Sequence, residues 1–369
     1  MIARRLLMLA VSVGVVGLSA CTSESTPPGP SPTDPSTTVV RPTGDPKVIA
    51  SGLEAPWSIL RLGDGDSTLI SERDSGVIEE LTVSNELRKA GTVGGVAHDG
   101  EGGLLGLEAL RDGDNRWIYA YLTTASDNRI VRMPLLGKAG DYSLGPAQKV
   151  LTGLAKAANH DGGRIKFGPD GMLYATVGDA SQADHAQDPE SLNGKILRMT
   201  PRGGVPDDNP TAGSLVYSLG HRNPQGLAWD AAGQLWAAEF GQNTWDELNR
   251  IEPGGDYGWP IVEGKGGNAD FIDPVYQWST AEASPSGLAF VDGTFFLAAL
   301  RGERLWAIYP GTTTNAVAYL AGTLGRIRDV VAGPDGTLWL LTNNTDGRGT
   351  VHEGDDKLVQ VGLDIAGEG

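Results

Sequence analysis

The chain has five histidines, and one of them, His160, lies in the phrase Asn159-His160-Asp161-Gly162-Gly163-Arg164. An imidazole is the natural general base near neutral pH, provided a partner holds its tautomer. Asp179, in Val177-Gly178-Asp179, is the candidate partner if consecutive strand ends converge. A second cluster is cationic. Arg326 and Arg328 alternate along Gly325-Arg326-Ile327-Arg328-Asp329, so an extended backbone turns both to one side. Arg222, in Gly220-His221-Arg222-Asn223-Pro224-Gln225-Gly226, adds a third guanidinium, and Asn223-Pro224 fixes a turn that presents an amide. Paired guanidinium groups suit planar carboxylates. Together these residues point to a small polyanionic ligand beside a base. His221 is the competing base, while His98, His185 and His352 read as surface residues.

Such residues need a scaffold, and a repeat supplies it. A polar turn containing Asp and Gly recurs before a short run of Leu, Trp, Tyr, Phe, Val and Ala. The runs are Thr68-Leu69-Ile70-Ser71, Trp117–Tyr121, Leu173–Val177, Leu235–Ala238, Phe295–Ala298 and Leu338–Leu341. Six copies at roughly 40- to 60-residue spacing, with long amphipathic helical windows nearly absent, predict an all-β fold, a six-bladed β-propeller. A pair of β-sandwiches is the runner-up. Segments that interrupt the repeat should lie on loops at one end of the channel and carry the chemistry.

Composition limits the alternatives. The 369 residues include 53 Gly and 22 Pro without a collagen period. The length exceeds that of one ordinary core, which a radial repeat explains without a second domain. There are 46 acidic and 29 basic residues, a formal charge of −17. That charge argues against nucleic acid as a partner. The single cysteine excludes an internal disulfide or a cysteine-based zinc site.

Cys21 follows a basic start, an apolar run from Leu6 to Leu18, and Ser19-Ala20. The run is short for a membrane span and reads as a secretory leader, residues 1–20. Leu18-Ser19-Ala20-Cys21 resembles a bacterial lipobox, which implies lipidation at Cys21 and an extracytoplasmic, membrane-tethered protein. Residues 21–46, rich in Ser, Thr and Pro, read as a disordered tether, and residues 47–366 as the propeller.

From Gly52 to Leu363 the chain resembles the PQQ-dependent glucose/sorbosone dehydrogenases, in particular their aldose sugar dehydrogenase branch. The phrases already quoted carry the resemblance, with Glu101-Gly102-Gly103-Leu104-Leu105-Gly106, Asp246-Glu247-Leu248-Asn249, Asp256-Tyr257-Gly258-Trp259-Pro260 and Ser284-Pro285-Ser286-Gly287-Leu288. It implies aldose oxidation at the anomeric carbon to a lactone, with PQQ and a calcium ion (Ca2+) in the channel mouth. His160 would take the hydroxyl proton, Asp179 would orient it, and Arg222 would polarise the quinone. Asn159, Asn223, Arg326 and Arg328 would hold the cofactor, and the carbonyls of Gly241 and Gln242 would meet calcium.

Two further cofactor positions depart from the family pattern, with Glu101 in place of Gln and Arg301 in place of Lys. Gln242 stands where the family often has Pro. Asp246 and Glu247 either bind metal or cap a turn and pair with Arg250. Tyr257 and Trp259 are candidates to line the sugar site. The family's dimer-building inserts are not evident, so a monomer is expected, and the electron acceptor is not specified. Two other readings compete. One is a non-catalytic propeller lipoprotein that binds a sugar or a protein; the other is a calcium-dependent lactonase.

Overall fold

The structure is a computed structural model that describes residues 38–366 except 64, 312 and 313. The predicted leader, Cys21 and most of the predicted tether lie outside the described residues. Among those described, 25 strands form six antiparallel sheets around one axis. The expected six-bladed propeller is therefore the observed fold.

Each of the six repeated runs is the second strand of its blade. Leu69 and Ile70, Leu173 to Val177, and Phe295 to Ala299 are buried without alternation. Both faces of such a strand are covered by neighbouring blades, so the polar/apolar period of a half-exposed sheet disappears. The Asp-Gly turns, not the period, mark these strands in the sequence.

The apolar core is divided in the same way. Six clusters of buried side chains follow the six blade junctions. Leu69 and Ile78 of the first blade meet Leu104 and Ile118 of the second. Phe296 and Leu305 of the fifth meet Leu338 and Val359 of the sixth. Leu341 and Leu358 of the sixth meet Ile70 and Leu81 of the first, which closes the ring.

Closure also explains where the fold begins. The strand Val40–Ser51 is the outermost strand of the sixth blade and pairs with Lys357–Ile365. Its start corrects the tether boundary expected at residue 46. Pro42, Asp45 and Pro46 look like linker, yet an edge strand tolerates proline where no ladder N–H is needed. Val40 is buried, and its N–H and C=O both meet the Thr294 hydroxyl of the fifth blade at 2.9 Å.

At the axis the inner strands crowd. In five of the six, the register with the second strand slips near the start of the strand. Such bulges re-aim side chains, and Trp57, Gln225 and Arg328 sit at the slips. Glycine fills the tightest approaches. A Cβ on Gly287 would lie 2.3 Å from Asp329 Oδ1, and one on Gly226 would lie 2.5 Å from Ser286 O.

Arg164 spans this belt. It leaves the third blade, is 7% exposed, and donates to Asp329 Oδ2 of the opposite blade at 3.1 Å. It also donates to Gln225 O of the fourth blade at 3.0 Å and to Ser58 Oγ of the first at 3.4 Å. Its guanidinium carbon lies 4.2 Å from the Trp57 ring centroid. Asp329 Oδ2 in turn accepts from Ile59 N at 2.9 Å. Removing one partner of a buried ion pair costs about 3–5 kcal/mol, because the other charge stays buried alone. Arg164→Met should lower stability by about that much, and adding Asp329→Asn should recover part of it, as measured by denaturant unfolding.

Candidate active site

Loops at the ends where the inner strands begin surround a cavity of about 340 Å³, within the usual range for small-molecule sites. Trp57, Gln225 and Arg328 from the bulged belt form part of its lining, with Arg301, Arg326 and Glu101. Four of the cofactor positions expected from sequence therefore share one cavity. The opposite end of the channel holds a second cavity of about 260 Å³ lined by Glu108, Arg164 and Lys166, away from His160.

His160 lies on the loop before the strand Ile165–Phe167, in the left-handed region with φ 66°. A non-glycine residue is uncommon there. Neighbouring glycines allow the turn. A Cβ on Gly178 would lie 2.1 Å from His160 O, so the loops after and before the two strands of this blade touch only because residue 178 has none. The contact brings the expected pair together. His160 Nδ1 lies 2.7 Å from Asp179 Oδ1, with the imidazole 16% exposed and the carboxylate 1% exposed. Ser181 N donates to the same Oδ1 at 2.7 Å, and Trp259 Nε1 donates to Oδ2 at 2.9 Å. An Nδ1–H donated to Asp179 leaves Nε2 as the free lone pair, the state a base requires.

Arg222 enters from the next blade. Asp179 N donates to its carbonyl at 2.8 Å. Its Nη1 donates to Gly241 O at 2.7 Å, its guanidinium lies 5.5 Å from the Trp259 ring centroid, and its buried Nε has no protein partner among the described residues. Burial lowers its pKa, with Asp179 and Glu239 opposing the shift. It stays charged at neutral pH, as arginine does. Arg326 Nη2 donates to Asp346 Oδ2 at 2.8 Å, while its Nε is buried without a partner among the described residues. Arg328 donates to Gln225 Oε1 at 2.9 Å and to Asn343 Oδ1. Burial pulls Arg328 down to about 9, and Asp346 resists that fall. Arg301 is exposed in the cavity lining and forms no ion pair among the described residues. The cavity thus holds more cationic donors than its own carboxylates use.

Some expected residues have other work. Asn223 is buried, and its Oδ1 accepts from Gly162 N at 3.0 Å, so it shapes the His160 loop. Asn159 Oδ1 accepts from Arg348 at 3.3 Å. His221 is fully buried between Ser218 Oγ and Glu239, each at 2.8 Å, and stacks on Tyr257; this removes it as a competing base. Tyr257 donates to Arg250 O instead of facing a sugar. Asp246 accepts from Gly241 N and Ser284 N, a capping role, and does not pair with Arg250. Glu247 is buried on Asn249 and Gly264 N; burial, with Glu239 nearby, pushes it up to about 8.

Other contributors were missed. Arg348 donates to Glu101 Oε1 at 2.8 Å across 247 residues, and Trp57 and Gln225 line the cavity from bulges. Burial pushes Glu101 up, but Arg348 and the His160 N–H outweigh it and hold the carboxyl below the usual range. No local pattern could have announced the Arg348 contact.

The cavity's size, its unpaired Arg301 and the partnerless Nε of Arg326 fit a ligand with several carboxylates. The residues expected for calcium fit less well. Gly241 O already accepts from Arg222 at 2.7 Å, whereas the Gln242 N–H donates to Glu263 and that bond leaves the Gln242 carbonyl uncommitted. An ion at Gly241 O would share its ligand with a guanidinium.

The model of the family described as Glucose / Sorbosone dehydrogenase matches residues 53–352. Quinoprotein glucose dehydrogenase B of Acinetobacter calcoaceticus is 35% identical over 258 residues, 60% of this chain; the chain spans only about half (53%) of that relative's length. An aldose sugar dehydrogenase of Escherichia coli is 31% identical over 82% of this chain and 90% of its own. The PQQ-bound aldose sugar dehydrogenase of Streptomyces coelicolor superposes with a TM-score of 0.84 at 47% identity, covering 90% of this chain and 100% of that one.

Asp161, beside His160, gives a test of the loop's electrostatics. Its Oδ1 accepts from Asn128 at 2.7 Å, but its buried Oδ2 has no partner among the described residues. Burial pushes its carboxyl up to about 6, with Asn128 only partly offsetting it. The unfolded group titrates near 3.9. Folding is unpenalised while both states are protonated, and the penalty grows as pH rises from about 4 to about 6. Asp161→Asn should lack this component. The stability difference between the variant and wild type should grow across that window and level off above it, and parallel stability curves would contradict the assignment.

Proposed function

The chain belongs to the glucose/sorbosone dehydrogenase family, and from that premise we propose that it oxidises aldose sugars at the anomeric carbon to lactones in a PQQ-dependent reaction. The observation that carries the site assignment is His160, held by Asp179 and joined through its backbone N–H at 3.1 Å to Glu101, which lines the arginine-rich cavity. PQQ, when bound, supplies a quinone carbonyl that accepts the hydride.

The protein supplies placement, charge and proton handling. Arg301, Arg326 and Arg328 hold carboxylates, through the donors that protein partners leave free. His160 Nε2 takes the proton from the anomeric hydroxyl as the C–H bond is cleaved. Asp179 keeps the other ring proton on Nδ1 and stabilises the imidazolium that results. Arg222, locked by Gly241 O, turns its remaining donors toward developing negative charge, where a fixed cation is worth more than in water. The partial exposure of His160 lets the proton leave to solvent. Calcium near Gly241 and Gln242 belongs to this proposal as a second component, supported by the carbonyl chemistry of calcium sites and opposed by the Arg222 contact.

For the N-terminus, the lipobox-like Leu18-Ser19-Ala20-Cys21 supports lipid attachment at Cys21 and an extracytoplasmic, membrane-tethered location. The propeller then extends from Val40, after a shorter tether than the composition suggests.

Two experiments test these readings. Apo protein titrated with PQQ, in chelator and in added calcium, should bind the cofactor and gain dye-linked aldose oxidation. His160→Ala should then lose roughly a hundred- to ten-thousandfold in kcat with cofactor affinity within about threefold; absence of PQQ binding would end the enzyme reading. Cys21→Ala expressed in a bacterial host should stop incorporating labelled fatty acid and leave the membrane fraction, whereas unchanged partitioning would refute the anchor.

A further inference from the structure

The base and its carboxylate belong to the third blade, but one atom of the pair is governed by the fourth. His160 Nδ1 and Ser181 N both donate to Asp179 Oδ1. Asp179 Oδ2 takes its donor from Trp259 Nε1 at 2.9 Å, across 80 residues. The last side-chain torsion of aspartate is broad and roughly two-fold, so two donors on one oxygen do not fix the carboxylate plane. A third donor on the other oxygen does.

Trp259 is itself held on its backbone. Its N–H donates to Gly220 O at 3.0 Å, and its carbonyl accepts from Gln187 Nε2 at 2.9 Å. Gln187 Nε2 also reaches Asp256 Oδ1 at 2.9 Å, which accepts from Gly258 N. The loop is packed closely enough that a Cβ on Gly220 would lie 2.1 Å from Asp256 Oδ1. The indole thus projects from a braced support. Its ring also faces the Arg222 guanidinium at 5.5 Å, a contact that favours a cation over an aromatic face.

We propose that Trp259 is a positioning residue: its indole N–H fixes the Asp179 carboxylate, and thereby the Nδ1–H tautomer of His160. This deepens the reading of His160 as the base and rests on it. Tryptophan fits because the indole offers one N–H donor at the rim of a large ring, which reaches between blades without bringing an acceptor or a charge.

Trp259→Phe keeps an aromatic face for Arg222 and removes the donor. With PQQ-loaded protein, kcat should fall roughly ten- to a hundredfold, with KM and cofactor affinity changed by less than about threefold. In an Asp179→Asn background the same substitution should cost less than about twofold, because the carboxylate through which Trp259 acts is already gone. The cofactor-free protein gives an independent reading. Ring ¹⁵N shifts of His160 should report the Nδ1–H tautomer in wild type and a mixture of tautomers in Trp259→Phe. If the phenylalanine variant fails to fold, benzothienylalanine at the same position replaces the N–H by sulfur with the ring shape retained, and should give the same changes.

Unchanged kcat and tautomer, or a full additional loss in the Asp179→Asn background, would overturn the proposal. If wild type binds no PQQ and turns over no sugar, the dehydrogenase reading fails by itself. The tautomer measurement then decides the role of Trp259 alone: a mixture in the variant supports it, and an unchanged ring refutes it.

Discussion

One guanidinium holds the axis of this molecule. A ring of blades has no central core, and its inner strands approach too closely for ordinary packing. Arg164 resolves this by reaching from the third blade to partners in the first, fourth and sixth, with a buried carboxylate, Asp329, directly across the channel. The pair is expensive to desolvate and is held by partners at Arg164 Nε and Nη1, with Nη2 buried and unpartnered among the described residues. It makes a polar floor, and the candidate cavity lies on one side of that floor.

The cavity follows from the same crowding. Strand bulges at the belt turn Trp57, Gln225 and Arg328 toward the candidate cavity, and the loops just beyond supply Arg301 and Arg326, while Arg222 lines an adjoining pocket with Phe240, Gly241 and Trp259. An acidic chain of formal charge −17 therefore concentrates cationic donors in one concave place. Focused positive charge inside a negative envelope selects small multiply charged anions over large polyanions. The His160–Asp179 pair sits where the third and fourth blades meet. Its geometry thus depends on the packing of those two blades as well as on its own loop, and Trp259 is one of the side chains that cross that junction.

The fold was legible because its punctuation is local. Asp-Gly turns followed by short apolar runs marked the second strand of every blade, although the strands themselves show no alternating period. The tether boundary was misjudged because Pro42 and Pro46 resemble linker, while the pairing that orders Val40–Ser51 lies some 300 residues away in sequence. His160, Asp179 and the arginines were legible from residue type and from the family's phrases. The pairing of Glu101 with Arg348, the burial of His221 and the diversion of Asn223 to Gly162 were not. Each depends on which blades are neighbours, and side-chain contacts between distant segments leave no periodic trace. Alternation predicts that Arg326 and Arg328 turn to one side, and both line one cavity, but Arg328 reaches it from a bulge and not from a regular strand.

We propose that the arginine-lined cavity and the His160–Asp179 pair form one site for a quinone cofactor and a sugar. A crystal structure of the protein with PQQ and an aldose bound tests it most directly. The expected result is cofactor carboxylates on Arg326 and Arg328, quinone oxygens facing Arg222, and His160 Nε2 turned toward the sugar beside the quinone, within roughly hydrogen-bond reach of its anomeric hydroxyl. PQQ bound in the opposite cavity by Lys166, or in the expected cavity with His160 turned away from it, would rule out such a shared site.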